Sequence, residues 1–237
     1  GSTRFRYDDD FYEAVVNTVI LTFTAVILET VIGIGVALVI NSKFRARGAI
    51  RTAVLVPWAI PTVVSARMWA WMYNDVFGVI NDMAMRLGLI DSPIAWLSNQ
   101  STALMAVVIM EVWKTTPFMA LLILAGLQII PGDVYEAADI DGASKVRQFF
   151  SVTLPLLRPA ILVALIFRTL DSLRIFDAIK VMTNGGSGTE VMSTYAHRNL
   201  FDFQKLGYGN AISVVIFIII AIFVVVYINT LGIGEEE

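Results

Sequence analysis

Val214-Val215-Ile216-Phe217-Ile218-Ile219-Ile220-Ala221-Ile222-Phe223-Val224-Val225-Val226-Tyr227-Ile228 decides the fold class. Wound as a helix, this stretch is apolar on every face and has no polar side to give to water. A soluble bundle would need such a side, so the solvent of this helix is a lipid bilayer. A bilayer core takes roughly 20 apolar residues per helix. Outward from this stretch, five segments qualify, at about 14–40, 50–73, 102–124, 160–175 and 211–231. The third carries Glu111, Lys114 and Pro117, and the fourth carries Arg168, Asp171 and Arg174, so both are polar for membrane helices. The expected fold is all-α, one polytopic membrane domain over residues 1–237.

Composition agrees. Of 237 residues, 57% are hydrophobic and only 16% charged, with a mean hydropathy of +0.73, too apolar for a soluble domain of this size. The net charge of −3 comes with no basic stripe, which excludes nucleic acid as a partner. With no cysteine and a single histidine, His197, there is neither thiol chemistry nor a metal site, and His197 is expected in a loop. Gly1-Ser2 reads as a cloning remnant or a chain break, and Glu235-Glu236-Glu237 as a solvated end. Residues 3–13 are polar and acidic, unlike a cleavable signal.

Basic residues near helix ends set the orientation. The segment Asn41–Arg51 holds Lys43, Arg45, Arg47 and Arg51 without an acid, so it is expected on the cytoplasmic side. Gly126–Arg158, with Lys145, Arg147 and Arg158, then falls on the same side. The N-terminus and the loops Asn74–Ser101 and Asp177–Gly209 face outward. Within the first of these loops, Phe77–Leu89 places Ile80, Met83, Ala84 and Leu87 at helical spacing, suited to lying on the membrane surface. The second holds Thr183-Asn184-Gly185-Gly186-Ser187-Gly188, a flexible turn, and a helix-like aromatic stretch from Tyr195 to Phe203. No Gly-Lys-Ser/Thr follows the glycines, and no ATP-binding motif occurs anywhere, so ATP chemistry would have to come from a partner.

Between the third and fourth spans, Pro131-Gly132-Asp133-Val134-Tyr135-Glu136-Ala137-Ala138-Asp139-Ile140-Asp141-Gly142-Ala143-Ser144 reads as a short docking helix. Asp133 with Glu136 is expected to form a capping box, Gly142 ends the helix, and a second helix runs from Ser144 to about Thr153. Alanines permit close approach by another protein. Glu136-Ala137-Ala138, Gly142 and Val152-Thr153-Leu154-Pro155, over 131–153, resemble the EAA loop of ATP-binding-cassette (ABC) importer permeases. Glu111-Val112-Trp113-Lys114-Thr115-Thr116-Pro117-Phe118, Leu124-Ala125-Gly126-Leu127-Gln128 and Thr183-Asn184-Gly185-Gly186 are similar to its MalF-type carbohydrate-uptake branch, the maltose and trehalose permeases.

That resemblance implies a type I importer permease in the bacterial or archaeal inner membrane, a transport subunit without enzymatic activity. It implies four kinds of partner: a second homologous permease, two ATP-binding cassette ATPases holding ATP and Mg, an extracytoplasmic sugar-binding protein and the lipid bilayer. No cofactor belongs to this subunit. Glu136, Ala137, Ala138, Asp141 and Gly142 would couple it to the ATPase. Such permeases have at least six core helices, so a sixth is expected before Thr3. Aligned on Pro117, Pro57, Pro61 and Thr183–Gly186, the family's sugar-lining positions fall on Glu111, Lys114, Thr115, Trp58, Thr62, Ser172, Arg174 and Ile175. Glu29 and Arg67 read as structural charges. Charges inside a bilayer cost about 2.5–3.5 kcal/mol each, so pairing among themselves competes with lining a sugar path. The alternatives are an ABC permease for another solute, such as glycerol phosphate or a polyamine, or a proton-coupled transporter using Asp171 or Glu111. The second would not need the docking loop.

Overall fold

The structure, a computed structural model, describes residues 8–42, 45 and 47–231. The expectations for Gly1-Ser2, the segment before Thr3, Lys43, the Arg47 side chain and Glu235–Glu237 lie outside the described residues.

Among the described residues the regular structure is all helical, as the sequence indicates. In chain order the helices are α1 (Asp9–Asn41), α2 (Arg47–Ala59), α3 (Thr62–Met72), α4 (Val79–Arg86), α5 (Ala103–Ile129) and α6 (Gly132–Ile140). They continue as α7 (Lys145–Gln148), a π-helical turn (Phe149–Thr153), α8 (Leu154–Ser172), α9 (Asp177–Met182), α10 (Met192–His197), a second π-helical turn (Arg198–Asp202) and α11 (Leu206–Leu231). Among the described residues, four stretches are long and apolar enough to cross a bilayer: 9–41, 103–129, 145–172 and 206–226.

The expected span 50–73 is not one helix but a broken pair, α2 and α3. Proline explains the break. Pro61 has no N–H to offer the Pro57 carbonyl and its ring clashes with the preceding turn, so the helix stops at Ala59 and restarts at Thr62. The fourth span likewise begins far earlier than 160, because Lys145–Ser172 winds on through the π turn.

Contacts divide the chain into two compact units, the first from 1–25, 61–111 and 170–237, the second from 26–60 and 112–169. In the second, Ala37, Met119, Ile123, Leu127, Leu157 and Ala164 form a buried core from α1, α5 and α8. Small residues let these helices meet closely, as is usual where lipid supplies no hydrophobic drive. A Cβ on Gly126 would fall 2.4 Å from the Ala160 Cβ, and one on Gly33 would fall 2.8 Å from the Met119 Cγ.

The first unit joins the start of α1 to α10 and α11 through Ala14, Tyr195, Ala196 and Ile212. Polar bonds add direction: Asn17 Nδ2 donates to the Glu190 carbonyl at 2.9 Å, Met192 N to Thr18 Oγ1 at 3.0 Å, and Tyr195 OH to Asp8 at 2.6 Å. The two long loops meet here, Gly188 (φ +69°) lying against the Gln100 side chain. The amphipathic stretch is the helix α4, held by buried Asn81, which accepts from Trp96 Nε1 at 2.8 Å and donates to the Ile94 carbonyl at 3.0 Å. His197 is in α10, not a loop, with its ring beside Phe176 and Phe201.

Candidate functional site

The loop between α5 and α8 is preformed. Pro131 precedes α6, which starts at Gly132 without a side-chain cap, so the Asp133–Glu136 capping box is not made. A proline can adopt the extended N-cap backbone (φ −63°, ψ 141°), and Asp133 then lies in the first turn where the helix dipole favours an acid. The far end is as expected. Gly142 is left-handed (φ +72°), with its N–H bonded to the Asp139 carbonyl and the Ala143 N–H to the Ala138 carbonyl, a Schellman ending.

A clasp closes the loop. Lys145 Nζ donates to both oxygens of Asp139 at 2.8 and 3.2 Å, while buried Gln148 donates to Asp139 and, at 3.0 Å, to the Ala143 carbonyl. Bonds from Lys145 and Gln148 hold the Asp139 carboxyl below the usual carboxylate range. Tyr135 and Thr153 share a hydroxyl bond of 3.1 Å. A cavity of about 700 Å³ lies beneath, lined by Leu38, Asn41, Leu127, Tyr135 and Phe150, which puts the end of α1 and this loop at one end of the second unit. No residue of α6 is buried: Glu136, Ala137, Asp141 and Gly142 are exposed, Ala138 is half-buried, and Ile140 is 86% exposed.

The second unit also holds the most buried charges among the described residues. Glu29 (α1) and Arg168 (α8) are 0% and 2% exposed and form a two-pronged ion pair at 2.6 and 3.0 Å. Thr115 Oγ1 of α5 donates to the same carboxylate at 2.6 Å. One residue earlier, the Lys114 ammonium donates to the Ile60 carbonyl, 2.5 Å away, at the break of the second span. Ile60 follows Ala59, the last residue of α2, so its carbonyl lies at the break itself. Trp58 is half exposed and stacks on Phe118, with ring centres 5.9 Å apart and planes 18° from parallel.

In the first unit, Thr62 opens α3 and is half-buried, and Arg67 of the same helix is exposed. Glu111 is buried on α5. Ser172 and Ile175 are buried at the end of α8, whereas Arg174 is exposed, its Nε 3.3 Å from the Leu170 carbonyl. Of the expected path residues, the second unit therefore brings together Trp58, Lys114 and Thr115. Sequence reasoning missed Arg168 as the partner of Glu29, since helical spacing shows only neighbours on the same helix.

Residues 29–231 match the family described as binding-protein-dependent transport system inner membrane component. The chain belongs to this family. Its members are transport subunits without catalytic activity, and the resemblance to MalF-type permeases is borne out. This permease is 48% identical to the trehalose/maltose transport system permease protein MalF of Thermococcus litoralis, over 93% of its own length and 74% of that protein's. It is 43% identical to the sulfoquinovosyl glycerol transport system permease protein SmoG of Agrobacterium fabrum, over 94% and 73%. Identity to the trehalose transport system permease protein SugA of Mycobacterium tuberculosis is 42%, over 95% and 71%. The fold matches the crystal structure of a bacterial ABC transporter importing the acidic polysaccharide alginate, with a TM-score of 0.87 at 24% identity, covering 98% of this permease and 82% of that chain. A second structure, of the alginate transporter with a periplasmic protein carrying alginate pentasaccharide, gives 0.85 at 25%, over 93% and 78%.

Proposed function

We propose that this permease carries a sugar, a disaccharide such as maltose or trehalose, across the inner membrane. Two partner ATPases holding ATP and Mg drive it, a second homologous permease shares the path, and an extracytoplasmic binding protein delivers the sugar. The observation that carries this reading is the break in the second span. Irregular backbone at membrane depth is tolerated where it borders a cavity, and here the Ile60 carbonyl accepts from the ammonium of Lys114 near the half-exposed indole of Trp58. An indole face suits a sugar ring and a cation suits its hydroxyls.

Trp58, Thr62, Glu111, Lys114, Thr115, Ser172 and Arg174 line the path in this reading. The helix from Glu136 to Gly142 lies in the cytoplasm and docks into an ATPase groove. ATP binding closes the ATPase dimer, the docked helix follows, and the path opens alternately outward and inward. A second reading has one specific support: Lys114 and Arg174 suit an anionic solute, and the relative from Agrobacterium fabrum is named for sulfoquinovosyl glycerol.

The test is uptake by the transporter in liposomes with labelled maltose, trehalose and sulfoquinovosyl glycerol. Losing a hydrogen bond to a charged group costs about 1.5–3 kcal/mol, roughly 10- to 150-fold in affinity. Lys114→Ala is expected to raise KM on that scale while the variant still assembles with the ATPases. Unchanged KM for every accepted solute would remove Lys114 from the path.

A further inference from the structure

The reading above leaves the Glu29–Arg168 pair without a task. Burying two charges is expensive, and a well-packed apolar pair is often at least as stable, so stability alone does not explain it. Geometry offers a task. One carboxylate on α1 takes both prongs of the α8 guanidinium and the hydroxyl of Thr115 on α5, which ties three helices to a single group. Close glycine contacts set how near these helices lie, and the hydrogen bonds add a constraint on angle. Directional bonds to Glu29 fix the rotation of α5 about its axis. Lys114 is the residue before Thr115, so that rotation decides where its ammonium falls, and it falls on the Ile60 carbonyl.

We infer that Glu29 and Arg168 are positioning residues: without touching solute, they hold the Lys114 ammonium at the break of the second span and thereby set affinity for a hydroxyl-rich sugar. This rests on the proposal that Lys114 lines the path.

The experiment uses the full-length permease assembled with its partner subunits in liposomes, with maltose and trehalose as probes, reading initial-rate KM, kcat and melting temperature. The variants are Glu29→Leu/Arg168→Met, Lys114→Met and the three changes together. The paired variant is expected to melt at or above the wild-type temperature, with KM raised about tenfold or more and kcat changed less. Because the pair acts through Lys114, the triple variant should show the KM of Lys114→Met and no further rise. Wild-type KM in the paired variant, or effects that simply multiply in the triple, would overturn the inference and leave the path reading standing. Wild-type KM in Lys114→Met would instead defeat the path reading, and the inference with it. If the paired variant does not assemble, Arg168→Lys decides. It keeps the charge and loses the two-pronged geometry: a raised KM with assembly intact supports the inference, and an unchanged KM overturns it.

Discussion

Helices α5 and α11 both cross the bilayer, and their burial runs against the rule for soluble proteins. The most apolar stretch of α11 is only 11% buried within the chain, and Phe217, Ile218 and Val225 are open to the surroundings. The corresponding stretch of α5 is 72% buried, yet this helix carries Glu111, Lys114, Thr115 and Thr116. In water the polar helix would lie outside and the apolar one inside. In lipid the uniformly apolar helix can face the solvent, and polar groups go where protein or a path can satisfy them. The difference teaches that in this fold the chain covers its polar helix and leaves its uniformly apolar one uncovered.

The comparison breaks most severely at the buried pair. Arg168→Leu alone leaves Glu29 charged and without its guanidinium, at a cost of about 3–5 kcal/mol. A large fall in melting temperature, or loss of the assembled transporter, is expected by thermal unfolding in detergent. A smaller effect is expected from putting a charge where α11 meets lipid. Ile218→Arg should cost about 2.5–3.5 kcal/mol of insertion free energy and lower the membrane-inserted fraction, measured by carbonate extraction. Normal insertion would mean that this face of α11 meets water or a polar partner.

The loop between α5 and α8 sharpens the contrast, because it carries a carboxylate–cation pair, Asp139 with Lys145, at the opposite extreme of exposure. Gly142→Leu meets no steric neighbour but must hold a left-handed backbone, a strain of about 1–2 kcal/mol. It should leave the membrane spans folded while solute-stimulated ATPase activity falls. Retained stimulation would show that the Schellman ending is dispensable. The smallest effect belongs to Asp139. Its folded pKa is lowered, so its stabilisation of the loop is present above the unfolded value, about 3.9, and is lost as pH falls through the lowered one. Amide exchange at 139–148 should therefore speed up only in that acid window, and Asp139→Asn should abolish the dependence.

Much of this was legible in the sequence. Val214–Ile228 needs only its composition to be placed in lipid, and the docking loop is written locally: a helix, its glycine and its return. Bonds within a few residues are the most legible, although the expected Asp133–Glu136 capping box is not made. Three features were not. The partner of Glu29 lies 139 positions away on another helix, beyond the reach of spacing along one helix. The Ile60 carbonyl is a backbone group and has no letter in the sequence. The prolines at 57 and 61 are plain in the sequence, but the site of the break depends on which of them a continuing helix can absorb: Pro57 lies inside α2, and Pro61 follows its end.

The central claim, that the polar face of α5 borders a water-filled sugar path while α11 faces lipid, can be measured directly because the chain has no cysteine. Lys114→Cys and Ile218→Cys would each be placed in the assembled transporter and treated with a small water-soluble maleimide, with and without ATP and with and without maltose or trehalose. Labelling at position 114 in at least one nucleotide state, slowed by an accepted sugar, together with no labelling at 218, is the predicted result. Labelling at 218, or a position 114 that stays unlabelled in every state or reacts at a rate no accepted sugar alters, would contradict it.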